Sequence, residues 1–237
     1  MMPRKLLPAF LVTLAGMAAP LHLSAETIAI IGTGQVGSAL GPEFAALGHT
    51  IVYGSRNPDR QDVTDLASRT GDGATVATPE DAAANADIVV LAVPGMVVEE
   101  ATRSLGDLSG KIIIDPTNAL RRGEDGLLEM AVETSNAERI QSHAPGAFVV
   151  KAFNTLNWRQ MVDPESSGGP ISIPLAGDSG EAKARVAKLV TALGLEPIDV
   201  GPLKHARHVE GMLILWINSG DDGRESFEYH LRKVSSD

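Results

Sequence analysis

A glycine-rich stretch between a predicted strand and a predicted helix constrains this chain more than any other feature. Residues 27–31 (Thr-Ile-Ala-Ile-Ile) are almost all β-branched or apolar, which is typical of a strand buried on both faces. Apolar residues then recur at the spacing of a helix, at Val36, Leu40, Phe44 and Leu47. The six residues that join the two elements are Gly32, Thr33, Gly34, Gln35, Val36 and Gly37.

This motif, with a strand before it and a helix after it, predicts a dinucleotide site. Gly32 permits the tight turn, Gly34 lets a pyrophosphate approach the backbone, and Gly37 lets the helix lie close to the strand. The free N–H groups and the positive dipole end of the helix would face the phosphates. The alternative is a tight turn without a ligand, because glycine also serves other turns that need positive φ.

The composition excludes several classes of function. The 237 residues are 43% hydrophobic, which is enough for one sizeable core and leaves no room for a second full domain. The formal net charge of −10 argues against nucleic acid or an anionic membrane as a partner. The chain has no cysteine, so disulfides, thiolate metal sites and a cysteine nucleophile are excluded.

Residues 1–25 are predicted to be a secretory signal peptide that is cleaved after Ala25. Arg4 and Lys5 precede an apolar run, and Ser24 and Ala25 are small residues at its end. The protein is then expected in the periplasm or outside the cell, although dinucleotide cofactors are a cytoplasmic pool. The alternatives are an uncleaved N-terminal anchor and a start codon placed too far upstream, the second of which leaves a cytoplasmic protein.

Beyond the motif, predicted strands and helices alternate as in an α/β protein. The pattern predicts a Rossmann-type, doubly wound, mainly parallel sheet with helices on both faces, in residues 26–202. A helix is expected over residues 127–142. Ligands of such sheets bind outside the carboxyl ends of the strands, where Asn118 and Asn154 follow two of them. Both asparagines are therefore predicted cofactor-binding residues.

Residues 203–237 are predicted to form a short C-terminal helical extension and tail. The last helix is expected over residues 203–217, and its second half is apolar all round, so it should be buried on more than one side. That burial is explained either by a homodimer interface or by packing on its own domain.

The end of the second predicted strand indicates which dinucleotide binds. NAD-specific folds usually have Asp or Glu there, but this chain has Ser55 and Arg56. A hydroxyl and a guanidinium would instead receive the 2′-phosphate of NADP, and Arg60 could add a second positive contact. The alternative for both arginines is a solvated loop side chain.

No catalytic acid or base is identified from the sequence. His205 and His208 are close enough on one helical face to share a metal, but no third ligand is suggested, and a solvated helix face is the better interpretation. Lys151 could be a general acid, but a lysine beside a buried strand is more often a snorkelling side chain. Hydride transfer between two redox cofactors needs alignment more than proton transfer by a side chain.

Taken together, six motifs resemble the small NADP-binding oxidoreductases typified by coenzyme F420-dependent NADP reductase, which are related to the cytosolic domains of six-transmembrane metalloreductases. The resemblance covers residues 27 to about 207. The motifs are the glycine loop, Gly54-Ser55-Arg56, Ala86-Asp87-Ile88 through Ala92-Val93-Pro94, Asp115-Pro116-Thr117-Asn118, Val150-Lys151-Ala152-Phe153-Asn154-Thr155, and Ala176-Gly177-Asp178 leading to Asp199-Val200-Gly201-Pro202-Leu203.

The resemblance implies that the glycine loop, Ser55 and Arg56 bind NADP and that Val93, Pro94 and Ala152 line the nicotinamide half. It also implies direct hydride transfer between NADP(H) and a small-molecule acceptor, a deazaflavin such as coenzyme F420 or a flavin. Two alternatives stay open. One is a non-catalytic NADP-binding module, and the other is a pyrroline-carboxylate or imine reductase, which would need a longer helical domain after the sheet.

Overall fold

The fold is a Rossmann-type α/β sandwich built on one eight-stranded sheet. The computed structural model describes residues 25–71, 73–219 and 225–234. The strands are β1 Thr27–Ile31, β2 Thr50–Gly54, β3 Thr75–Ala77, β4 Ile88–Leu91, β5 Ile112–Asp115, β6 Leu120–Arg122, β7 Leu128–Met130, β8 Phe148–Lys151, β9 Ser172–Ala176 and β10 Glu196–Gly201. The helices are α1 Gln35–Ala46, α2 Gln61–Thr70, α3 Pro79–Ala84, α4 Val98–Arg103, α5 Asn136–His143, α6 Trp158–Val162, α7 Gly180–Ala192 and α8 Ala206–Ile217.

The strand order in the main sheet is β10-β9-β8-β5-β4-β1-β2-β3. Every pair in this sheet is parallel except β8 with β9, which are joined by one antiparallel register pair, Lys151 opposite Ala176. The mainly parallel, doubly wound fold is confirmed. The carboxyl ends of β1, β2, β4, β5 and β8 therefore meet at one edge of the sheet.

Alternate residues of the central strands enter two separate apolar cores, one on each face of the sheet. Ile28 and Ile30 of β1 pack with α1, α2, α6 and α7, whereas Ala29 and Ile31 pack with α3, α4, α5 and the start of α8. This alternation follows from the two-residue period of a strand. It explains why β1 is β-branched or apolar at nearly every position.

The prediction for residues 127–142 is wrong. A hairpin of β6 and β7 occupies residues 120–130, and α5 begins only at Asn136. Gly126 has φ +82, which suits the hairpin turn, and Ser135 caps α5 by accepting a hydrogen bond from the Glu138 N–H. Gly126 and Ser135 thus separate the hairpin from α5, although the apolar spacing of residues 127–142 resembles that of one helix.

The final helix is also less buried than its sequence suggests. A 3₁₀ turn spans Leu203–His205, and α8 follows it. Leu213 is buried, but Leu215 is 66% exposed and Ile217 is 37% exposed, so the described part of the chain leaves one side of this helix uncovered. Part of the predicted tail packs on the sheet, because the Leu231 N–H donates to Ser172 Oγ at 2.7 Å.

The predicted signal peptide lies outside the described residues, which begin at residue 25. Across the described ranges, no helix combines the length and the apolar character that crossing a membrane requires.

Candidate functional site

The glycine loop lies at the carboxyl end of β1 and leads directly into α1. Gly32 has φ +105, and a Cβ there would lie 2.3 Å from the Ala92 carbonyl oxygen, so only glycine fits. A Cβ on Gly37 would lie 2.0 Å from the Gly32 carbonyl oxygen, because α1 packs closely on the loop. Gly34 faces open space, since a Cβ added there would have no heavy atom within 4 Å. The three glycines thus have the three roles that a dinucleotide loop requires.

The N-terminus of α1 is suited to an anion. Gly34 is the N-cap, no side chain caps the helix, and its first turn contains no acidic residue. The first N–H groups of a helix lack partners within the helix and carry the positive end of its dipole. A pyrophosphate is a fitting partner for these N–H groups.

The end of β2 places two arginines beside the glycine loop. Ser55 Oγ bonds to the Asn57 backbone and holds a tight turn, and Arg56 follows it. Arg56 is exposed and forms no hydrogen bond or ion pair within the described part of the chain. Arg60 donates to Asp62 at 2.6 Å and to Thr33 Oγ1 at 3.4 Å, so its guanidinium reaches the loop. The hydrogen bond that Arg60 donates to Asp62, together with the negative charge of Asp62, raises the pKa of Arg60 above its ordinary value.

A cavity of about 580 Å³ joins these elements. It is lined by eight of the predicted cofactor-binding residues, namely Gly32, Thr33, Gly34, Ser55, Arg56, Arg60, Val93 and Pro94. A second wall comes from α4 and the residues that flank it, with Val97, Glu100, Ala101 and Ser104. This second wall was missed by sequence reasoning, since its residues form no motif.

The other six predicted residues do not line this cavity. Gln35, Val36 and Gly37 belong to the first turn of α1, and Gly37 is buried. Ala152 is fully buried. Asn118 and Asn154 lie together at the ends of β5 and β8, where the Asn154 Nδ2 donates to Asn118 Oδ1 at 2.9 Å and the Asn118 Nδ2 donates to the Asn154 carbonyl at 3.3 Å. A Cβ on Gly95 would lie 2.0 Å from the Asn118 carbonyl oxygen, so this amide pair adjoins the turn that follows β4.

A buried ionic cluster lies behind the amide pair. Lys151 Nζ contacts Asp115 Oδ2 at 2.6 Å, Glu210 Oε1 at 2.7 Å and the Thr117 carbonyl at 2.5 Å. All three ionisable side chains are fully buried, so the interpretation of Lys151 as a snorkelling side chain is wrong. Burial raises the pKa of Glu210 above its ordinary value, and the charge of Lys151 opposes that shift. Glu210 was missed because its partners are remote in sequence.

His205 and His208 lie close together where β10 leads into α8. Their ring centroids are 6.1 Å apart, and His205 Nδ1 lies 2.6 Å from the Val200 carbonyl oxygen. No group of three or more metal-ligating side chains exists in the ranges that the structure describes.

The uncapped helix, the three glycines and the cavity beside Ser55 and Arg56 define a dinucleotide-binding protein of the Rossmann class. Comparison with known proteins narrows the class. The family model described as NADP oxidoreductase, coenzyme F420-dependent, matches residues 27–119. The F420-dependent NADP reductase of Methanothermobacter thermautotrophicus is 31% identical over 206 residues, which cover 81% of this chain and 88% of that reductase.

Two further proteins are similar to this chain. A protein from Arthrobacter sp. FB24, whose crystal structure is assigned to the F420-dependent NADP reductases, superposes with a TM-score of 0.79 at 33% identity over 88% of this chain and 100% of that one. Metalloreductase STEAP3 of Rattus norvegicus is 30% identical over 89% of this chain, which spans only 41% of that metalloreductase. The chain belongs to the family of F420-dependent NADP reductases.

Proposed function

We propose that the protein transfers a hydride between NADP(H) and a planar deazaflavin or flavin acceptor. The observation that carries the proposal is the cavity in which an exposed arginine at the end of β2 adjoins an uncapped helix N-terminus. Family membership supports the same reaction, because the reductase of M. thermautotrophicus is named for F420 and NADP.

The residues of the cavity divide the work of binding NADP. Arg56 and the Ser55 hydroxyl receive the 2′-phosphate, since a guanidinium and a hydroxyl both donate to phosphate oxygens. The N–H groups at the start of α1 bind the pyrophosphate, and Gly34 leaves room for it. Arg60, held by Asp62 beside Thr33, adds positive charge at the mouth of the loop.

The nicotinamide half is assigned to the neighbouring strand ends. Val93 and Pro94 lead from the cavity to Gly95, which is in contact with Asn118. When bound, NADPH supplies the hydride, and the chemistry belongs to the cofactor. The uncharged amides of Asn118 and Asn154 suit a site that orients a ring and transfers no proton.

The proposal is tested by titrating the purified chain with NADPH and NADH and then adding acceptors to the same cell. We expect tight binding of NADPH, weak binding of NADH, and oxidation of NADPH by F420 or a flavin. Oxidation by ferric chelates alone would favour the metalloreductase relatives instead. Binding of NADPH without reduction of any acceptor would show a non-catalytic NADP-binding module and contradict the proposal.

Two further features belong to the proposal. The exposed Leu215 and Ile217 on α8 favour a homodimer through this helix, which sedimentation of the wild type and of L215E would test. The N-terminal sequence favours export to the periplasm or the medium, and cytoplasmic location is the alternative. Cell fractionation with N-terminal sequencing of the mature protein decides between them.

A further inference from the structure

Helix α8 reaches across the sheet edge to the amide pair through two successive residues, Val209 and Glu210. The Val209 carbonyl accepts a hydrogen bond from Asn154 Nδ2 at 3.2 Å. Glu210 is fully buried and points into the ionic cluster. The C-terminal extension is therefore in direct contact with the strand ends assigned to nicotinamide.

Glu210 fastens three separate segments at once. Its Oε2 accepts from the Ala119 N–H at 2.8 Å, and its Oε1 accepts from the Asn136 N–H at 2.9 Å. The same Oε1 pairs with Lys151 at 2.7 Å. The carboxylate thus holds the loop that carries Asn118, the start of α5 and the end of β8.

The segment between Lys151 and Asn154 is held under backbone strain. Phe153 has φ +63, the left-handed region that is unfavourable for a bulky side chain. Such a conformation persists only where its surroundings fix it. Lys151 on one side and the bond from Asn154 to Val209 on the other fix this turn, and both attachments lead to α8.

We propose that Glu210 is a positioning residue for the nicotinamide half of the site, acting through Lys151 and the Ala119 N–H to hold Asn118 and Asn154 in one arrangement. This inference rests on the proposed function, since it takes NADP as the cofactor. The adenosine half is assigned to the cavity at Ser55 and Arg56, whose lining includes no residue of the cluster. Loss of Glu210 should therefore weaken binding of the nicotinamide half and leave binding of the adenosine half unchanged.

The test compares two ligands on the full chain, NADPH and adenosine 2′,5′-bisphosphate, which lacks the nicotinamide half. Glu210→Gln is the main variant, because a carboxamide has one acceptor oxygen and leaves one of the two backbone N–H donors without a partner. Lys151 keeps Asp115 as its counter-ion in this variant. Arg207→Gln is the matched control, since it removes the ion pair of α8 with Glu138 and touches no strand end.

We expect Glu210→Gln to bind adenosine 2′,5′-bisphosphate like the wild type. The additional affinity that the nicotinamide half gives to NADPH should fall by about 2- to 12-fold, as expected when one hydrogen bond to the ring is lost. The fluorescence of bound NADPH should shift toward that of the free cofactor. Arg207→Gln should match the wild type with both ligands.

Equal losses for both ligands in Glu210→Gln, or no loss for either, would overturn the inference. Asn118→Ala covers the case in which Glu210→Gln does not fold, since Asn118 is only half-buried. If that variant keeps the full difference between NADPH and adenosine 2′,5′-bisphosphate, the inference is wrong while the proposed function stands. A wild-type chain that binds neither ligand would overturn both.

Discussion

Gly34 and Gly37 lie one helical turn apart, yet the structure predicts opposite effects of adding a methyl group to each. At Gly37 the new Cβ would lie 2.0 Å from the Gly32 carbonyl oxygen and 3.0 Å from Ile30 Cγ2. At Gly34 no heavy atom lies within 4 Å, and the φ of −74 is open to alanine. Gly37→Ala should therefore disturb the fold, and Gly34→Ala should disturb only the ligand.

The magnitudes follow from these distances. The overlap at Gly37 forces α1 away from the loop, and overpacking of this kind destabilises by about 1–3 kcal/mol. For a domain of this size that lowers the melting temperature by about 2–12 °C. Gly34→Ala should leave stability nearly unchanged, because the lower entropy of the unfolded chain and the poorer N-cap oppose each other. The same methyl group, placed where a pyrophosphate would approach, should weaken NADP binding by about 5- to 160-fold.

Calorimetric unfolding of both variants, with isothermal titration of NADP, measures the two effects separately. The reasoning is refuted if Gly34→Ala binds NADP like the wild type, because the pyrophosphate then does not approach this backbone. An unchanged melting temperature for Gly37→Ala would show that α1 can move away from the loop without loss.

Three further predictions use single side chains. Arg56→Ala should weaken NADP binding by about 1.5–3 kcal/mol and leave NAD binding unchanged, because only NADP has a 2′-phosphate. Arg69→Ala is the control, since Arg69 lies outside the cavity. Equal losses for both cofactors in titration would exclude a contact between Arg56 and the phosphate. Lys151→Met should lower the free energy of unfolding by about 3–5 kcal/mol, because two buried carboxylates lose their counter-ion. Urea unfolding measures this loss, and a change near zero would contradict the ion pair. Burial lowers the pKa of His49 below 6.5 in the folded chain, so its contribution to stability is present above pH 6.5 and is lost as the pH falls through the folded pKa. Unfolding followed across this range should show a shallower acid loss in His49→Gln, and an identical acid profile would exclude this residue as the cause.

The sequence predicted which elements meet at the cavity where the signals are local. The strand, the glycine loop and the start of α1 are consecutive, so their spacing alone determines their arrangement. Ser55 and Arg56 follow the next strand and lie beside the loop, because β1 and β2 are neighbours in the sheet. A residue next to a strand end can thus be assigned from the strand order.

The ionic cluster could not be predicted in the same way. Asp115, Lys151 and Glu210 belong to two strands and a helix that are far apart along the chain. Nothing in the neighbouring residues distinguishes a buried Glu210 from the solvated glutamates that most helices carry. The helix predicted over residues 127–142 was wrong for another reason. Strands of three residues are too short to show a period that differs from a helical one.

The single register pair between β8 and β9 has a consequence for how the molecule opens. Five register pairs join β1 to β2, but only one joins β8 to β9. Contact between these two strands therefore depends mainly on side chains. Elements joined in this way tend to exchange their amide hydrogens as separate cooperative units. The module of β9, α7 and β10 is thus expected to detach from the parallel strands as a body in hydrogen-exchange experiments, with the buried lysine at the boundary where the two units part.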